Sequence, residues 1–234
     1  MSMRIRARMA KQGDARFTSH LDFMRTIGRA ARRAGIAVAL TRGFHPHQKI
    51  SLGPALGLGI SSTSEFADFE LDQSIAEEEF RRRMNESLPS GMRVLDARII
   101  PWHWKPLSAV IDVAKYTAQI VAPEEAYPGL AGFVEKSISS MMSEREFFVT
   151  RAKDTIEEKI NIRPRIIGLS FSLTDECPSI KMLVTTGNRG SVRPDEVLDA
   201  IFTGPFRPLG YSIERTGLFM ERQGHLISPM EAGE

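Results

Sequence analysis

Met3-Arg4-Ile5-Arg6-Ala7-Arg8-Met9-Ala10-Lys11 is the stretch on which the fold turns. Met3, Ile5, Ala7 and Met9 alternate with Arg4, Arg6 and Arg8, the period of a strand with one face buried. Gln12-Gly13-Asp14 ends it. A helix then opens at Ser19, whose hydroxyl can cap backbone amides while Asp22 reaches back in an acidic variant of the capping box. Leu21, Met24, Ile27, Ala31 and Ala34 give this helix an apolar stripe, and Gly35 is placed to stop it. Ile36–Leu40 and Phe66–Leu71 read as strands. Ser74-Ile75-Ala76-Glu77 opens a second helix by the same capping logic. Phe80, Met84 and Leu88 carry its buried side, and Pro89-Ser90-Gly91 close it. Met92–Ile100 is the last strand of this half.

The order is therefore β-α-β-β-α-β, the ferredoxin-like split unit. After a connector rich in Trp and Pro, including Trp102 and Trp104, the pattern restarts. Lys115–Val121 reads as a strand, Gly129–Ser139 as a helix, and Glu146–Arg151 as a strand. Arg163–Leu173 and Ser179–Thr186 form a hairpin across residues 174–178. Pro194–Phe202 is a helix with Asp195 and Glu196 at its positive end and Gly204 as its stop. Tyr211–Met220 closes the series. The expected fold is α+β: two tandem ferredoxin-like lobes, the second diverged by one extra strand. The expected domains are a first lobe at 1–100 with a long Gly-rich loop at 42–63, a connector at 101–114 whose aromatics cover a seam between lobes, a second lobe at 115–221, and a loose tail at 222–234.

Composition narrows the class. A chain of 234 residues can hold one large core or two small ones. Its single cysteine, Cys177, forms no intrachain disulfide and cannot alone hold zinc or an iron–sulfur cluster. No apolar run approaches the roughly 20 residues of a membrane span, and the N-terminus lacks a secretory apolar core. The chain reads as cytoplasmic and unprocessed, with no membrane partner and no cofactor. Net charge is only +2, but it is distributed unevenly. Before Ser51 eleven Lys and Arg residues face only Asp14 and Asp22, whereas from Ser51 to Phe80 every charge is acidic. Such a split suits a basic face that meets phosphates, or solvated faces that balance on folding.

Two stretches carry candidate chemistry. The connection between Leu40 and Phe66 is longer than most, and connections of that length inside a domain are commonly functional. Gly43, Gly53, Gly57 and Gly59 permit close backbone approach, and Phe44, His45, His47 and Lys49 offer stacking, hydrogen bonds and charge. Neither phosphate-loop pattern is present, because Gly57-Leu58-Gly59 runs into Ile60-Ser61-Ser62. On the first helix, Arg25, Arg29 and Arg32 recur at helical spacing and share one face able to grip phosphates, although arginine is also simply a good helix former. His20, Asp22, His45 and His47 form the one His and carboxylate set with catalytic or metal-binding promise, provided the loop folds over the helix start.

Arg16-Phe17-Thr18-Ser19-His20-Leu21-Asp22, Arg29-Ala30-Ala31-Arg32-Arg33-Ala34-Gly35, Gly43-Phe44-His45-Pro46, Lys49-Ile50-Ser51-Leu52-Gly53-Pro54-Ala55-Leu56, and Gly59 with Glu65 and Asp68 follow one another in order. These blocks resemble the bacterial radical-SAM-linked protein family of uncharacterised function. Asn161-Ile162-Arg163-Pro164 and Gly190-Ser191-Val192-Arg193-Pro194 extend the likeness, with Asn161 where an acidic residue is expected. The resemblance implies a radical SAM enzyme as partner. This chain lacks the three clustered cysteines that radical generation needs, so it reads as an accessory that binds RNA or presents a substrate. The expected binding residues are Ser19, His20, Asp22, Arg25, Arg29, Arg32, Gly43, Phe44, His45, Pro46, Lys49 and Ser51. One alternative is a metal-independent endoribonuclease using His20 or His45, and another is a protein-docking scaffold using the acidic segment Glu65–Glu79.

Overall fold

The computed structural model describes residues 2–122, 127–153, 156–173, 177–203 and 206–232. Its elements are β1 (Met3–Lys11), α1 (His20–Arg33), β2 (Ile50–Leu52), β3 (Ser61–Leu71), α2 (Glu77–Ser87), β4 (Met92–Ile100), α3 (Leu107–Val110), β5 (Val113–Val121), α4 (Tyr127–Ser143), β6 (Phe148–Lys153), β7 (Ile156–Asn161), β8 (Ile166–Leu173), β9 (Pro178–Thr185), α5 (Pro194–Ile201), β10 (Gly210–Arg222) and β11 (His225–Ile227). The fold is mixed α+β. The chain divides into one unit of Met1–Asp112 with Arg215–Glu234, and a second of Val113–Glu214.

In the first unit, β1 sits between β3 and β4, antiparallel to both, with Ile5 opposite Phe69 on one side and Ile99 on the other. The short β2 pairs with the far half of β3, Ile50 opposite Phe69 and Leu52 opposite Ala67. The near half of β3 instead meets β10: Ser62 Oγ donates to the Arg215 carbonyl and Leu218 N donates to Ser64 Oγ, both at 3.1 Å. One sheet face packs on α1 and α2 through Ile5, Met9, Phe23, Ile27, Phe69, Phe80 and Met84. Phe80 meets Phe69 edge-on at 5.2 Å. Each such fully buried side chain contributes about 1.5–3 kcal/mol.

The opposite face departs from the simple alternation, because Arg4 and Arg6 are buried rather than solvated. Arg6 stands opposite Asp68 in register, and both arginines pair with that carboxylate. Trp102 and Trp104 lie over Arg4 and Arg6, with guanidinium-to-ring distances of 5.9 and 5.4 Å. The tryptophans thus cover a face of the first unit, where sequence reading put them at a seam. The chain end is also tied down. β11 pairs with β10, Arg6 donates to the Pro229 carbonyl at 2.8 Å, and Arg98 donates to that of Met230 at 2.7 Å. The residues read from sequence as a loose tail are therefore part of the first unit, which explains why Met230 is buried.

Two further expectations are corrected. Ile36–Leu40 is not a strand; Val38 and Leu40 make only isolated bridges, and β2 falls later, inside the long loop. Helix α2 begins at Glu77 with Ala76, rather than Ser74, at its N-cap position.

In the second unit, β9 lies between β5 and β8, antiparallel to both. α4 packs on β8, and Phe202 beyond α5 meets Phe133 of α4 at 6.2 Å. The extra pair is the hairpin β6–β7. Arg151 of β6 holds Glu196 of α5 through two bonds of 2.6 and 2.8 Å. Asn161 accepts from Phe147 N and Arg163 N at 3.0 and 3.2 Å, so the side chain at this position shapes the chain leaving β7. Residues 174–176 of the expected hairpin turn and the expected stop Gly204 lie outside the described residues. No described helix is long and apolar enough to cross a membrane.

Candidate functional site

Ser19 caps α1 as its sequence suggests, its Oγ accepting from Asp22 N at 3.1 Å. The Asp22 carboxylate does not return to the backbone; it accepts the Ser19 hydroxyl at 2.7 Å. That hydrogen bond, with Arg25 and Arg29 nearby, holds the Asp22 carboxyl below its ordinary range. From this start the inner face of α1 buries Phe23, Ile27, Ala30 and Ala31, which leaves Arg25, Arg29 and Arg32 exposed together on the outer side. Arg25 contacts Asp22 at 3.5 Å with both side chains open to solvent, and Arg29 donates to Thr26 Oγ1 at 3.3 Å. These are weak ties in water, so the guanidiniums stay available. Arg32 borders a groove of about 300 Å³ shared with Ile36, Leu40 and Gln48.

The loop meets the helix at its middle. A side chain on Gly28 would touch Gln48 Oε1 at 2.5 Å and Ile50 Cδ1 at 3.6 Å, so the absence of a Cβ lets the loop root lie on α1. Beyond that root the chain closes on itself. Thr41 N donates to the His47 carbonyl at 2.8 Å, and His47 N donates to Thr41 Oγ1 at 2.9 Å. Gly43 takes φ +133° at the turn, and Phe44, His45, Pro46 and His47 are exposed at the tip. Lys49 is engaged, its Nζ 2.7 Å from Glu70 Oε2. Ser51 sits in β2 opposite Asp68.

The loop root and α1 thus meet at Gly28 and Arg32, whereas the charged groups that act on His20 are Glu65, Arg215 and Lys11 rather than the loop histidines. Gly28 lies two turns beyond His20, about 12 Å along the axis at 1.5 Å per residue. The groove at Arg32 and Leu40 carries the loop further from the helix start. Among the described residues, no group of three His, Cys, Asp or Glu side chains is set to hold a metal ion.

A protein-family model described as "Uncharacterized protein conserved in bacteria (DUF2344)" matches residues 4–194, which include α1, the loop and both ends of β3. The chain belongs to this family. No curated protein matches this DUF2344 member. A solved structure, "Crystal Structure of an Unknown Protein from Galdieria sulphuraria", aligns over 95% of this chain and 100% of its own at 10% identity, with a TM-score of 0.27.

This DUF2344 chain also holds a buried polar cluster that sequence reading missed. Arg215, fully buried, grips Glu65 with Nε on Oε1 at 2.9 Å and Nη2 on Oε2 at 2.5 Å. It also donates to the Pro54 and Ala55 carbonyls at 3.0 and 3.2 Å, fixing the chain that leaves β2. Lys11 is 1% exposed. Its Nζ donates to the Thr18 carbonyl at 2.7 Å and lies 5.9 Å from the Phe23 ring. Burial pushes the Lys11 ammonium down, with Glu65 opposing and Arg215 adding to the effect. Half-buried His20 is lowered by burial too; Glu65 opposes this, and Arg215 and Lys11 reinforce it. The helix N-terminus disfavours a cation there as well. A signal for Lys11 existed in the sequence, since it falls on the Met3–Met9 side of the alternation. Arg215 had none, because its partner lies 150 positions away.

Proposed function

We propose that this protein is an RNA-binding accessory of a radical SAM enzyme, with no radical chemistry of its own, and that α1 and the adjoining loop form its contact surface. The observation that carries the reading is the shared exposure of Arg25, Arg29 and Arg32 beside the loop seated at Gly28. Guanidiniums spaced along one helix face suit the phosphates of a nucleic-acid backbone. The radical SAM partner rests on the family resemblance of the sequence blocks, and the lone Cys177 agrees with a division of labour in which another chain binds the cluster.

Both units read best as ferredoxin-like lobes. The pairing β4-β1-β3-β2 around α1 and α2 supports this for the first. The pairing β5-β9-β8 with α4 and α5 supports a diverged second copy into which β6–β7 is inserted. Fold alone assigns no activity.

The test is RNA affinity against salt for the wild type and for Arg25→Glu with Arg29→Glu. The wild type should bind with a steep salt dependence, and the double variant should bind more weakly with a shallower slope. Equal binding by both proteins removes α1 from the interface. A second reading, a metal-independent endoribonuclease, draws support from His20 alone, whose bias to the neutral imidazole suits proton acceptance. RNA left intact by the wild type, or cleaved equally by both His20→Ala and His45→Ala, ends it.

A further inference from the structure

The most exposed large apolar side chain in the first unit is Phe44, with 102% relative exposure. The residues beside it in sequence, Arg42, Gly43, His45, Pro46 and His47, are exposed too, and Pro46 is the one other apolar side chain among them. The loop beneath it is braced. The Thr41–His47 closure continues downward as the Leu40–Gln48 bridge and as Lys49 N donating to the Ala39 carbonyl at 2.8 Å. Pro46 removes one backbone freedom near the tip. An aromatic ring held clear of the surface by such a frame loses little conformational entropy when it is covered. The surroundings define what covers it. A protein pocket would seat the ring among several apolar groups, and the tip supplies only Pro46 beside it. A partner that stacks one flat ring and carries negative charge matches a ring flanked by Arg42, with Arg32 at the loop root.

We propose that Phe44 is a stacking finger for one unpaired base of single-stranded RNA, whose phosphates run along the arginine face of α1. This rests on the RNA-binding reading and adds the class of ligand. In a duplex both faces of a base are covered by its neighbours, and the deep A-form major groove does not admit such a side chain. Splayed bases of single strands and loops, by contrast, stack on aromatic side chains.

The test measures affinities of the full chain for a short oligouridine and for an RNA duplex of equal length. The proteins compared are the wild type, Phe44→Ala, Phe44→Trp, and Arg25→Glu with Arg29→Glu. Phe44→Ala should bind oligouridine roughly 5- to 150-fold more weakly with an unchanged salt slope. Phe44→Trp should restore binding and show quenched indole emission on saturation. An unchanged urea midpoint for Phe44→Ala excludes misfolding as the cause. Wild-type affinity in Phe44→Ala, together with weakened binding in the arginine variant, overturns the finger and leaves the RNA reading standing. Equal loss of duplex and single-strand affinity in Phe44→Ala also overturns it. A wild type that binds neither RNA overturns both.

Discussion

Arg6 grips Asp68 with two nitrogens, Nε on Oδ1 at 2.7 Å and Nη2 on Oδ2 at 2.9 Å, from directly opposed positions of β1 and β3. Arg4 reaches the same carboxylate at 3.1 Å. One buried anion therefore compensates two guanidiniums. Removing it with Asp68→Ala should destabilise the protein by about 3–5 kcal/mol, because the charges left behind stay buried. Replacing Arg4, Arg6 and Asp68 together by apolar residues should recover much of that loss. Urea denaturation of the three proteins checks this, and a midpoint for Asp68→Ala equal to wild type would refute it.

The chain end should contribute to stability in the same way. Truncation after Gln223 deletes β11 and the carbonyls of Pro229 and Met230 that receive Arg6 and Arg98. A hydrogen bond to a charged group is worth about 1.5–3 kcal/mol, so a loss of roughly 2–5 kcal/mol is expected. Amide exchange offers a local check: β1 protection should fall in the truncated protein while that of β9 stays the same.

Acid should weaken the protein through His20. Its folded value lies below the ordinary 6.5, chiefly because of burial. The unfolded chain then binds a proton that the folded one refuses, so stability rises with pH up to about that ordinary value and is lost as pH falls through the folded one. Lys11 and Arg215 face the imidazole as cations and Glu65 as an anion. His20→Gln should lack this component. The two stability curves should run parallel near neutrality, and the wild type should lose more than His20→Gln as pH falls through the mildly acidic range.

Gly28→Ala separates the loop from the helix. Alanine in a helix interior gains about 0.8–1 kcal/mol over glycine, and the group it meets first is the movable end of Gln48. Stability should hold or rise slightly, while RNA affinity should drop because the loop root shifts off α1. If affinity is unchanged, the seat of the loop at Gly28 does not matter for binding.

Local pattern was enough for β1, β4 and the start of α1, where alternation, a serine cap and Gly35 act within a few residues. It failed wherever a partner distant in sequence decides the outcome. The three residues of β2 show no alternation of their own and become a strand only because Phe69 and Ala67 lie opposite. Arg4 and Arg6 look solvated until Asp68, the tryptophans and the chain end converge on them. For the candidate site, the arginine spacing and the loop residues were readable. The seat of the loop at Gly28 and the Lys11–Glu65–Arg215 cluster were not, since both come from contacts across the fold.

The chain leaves the first unit at Asp112 and returns to it at Arg215. The first unit therefore has all its residues only after the second has been synthesised. Until Arg215 emerges, Glu65 lacks the guanidinium that neutralises it in the folded protein, and until Pro229 emerges, Arg6 lacks one of its acceptors. Val113–Glu214 is continuous in sequence. Domains made first usually fold first; here the segment synthesised earliest lacks contacts of its folded state until the last part of the chain has been made.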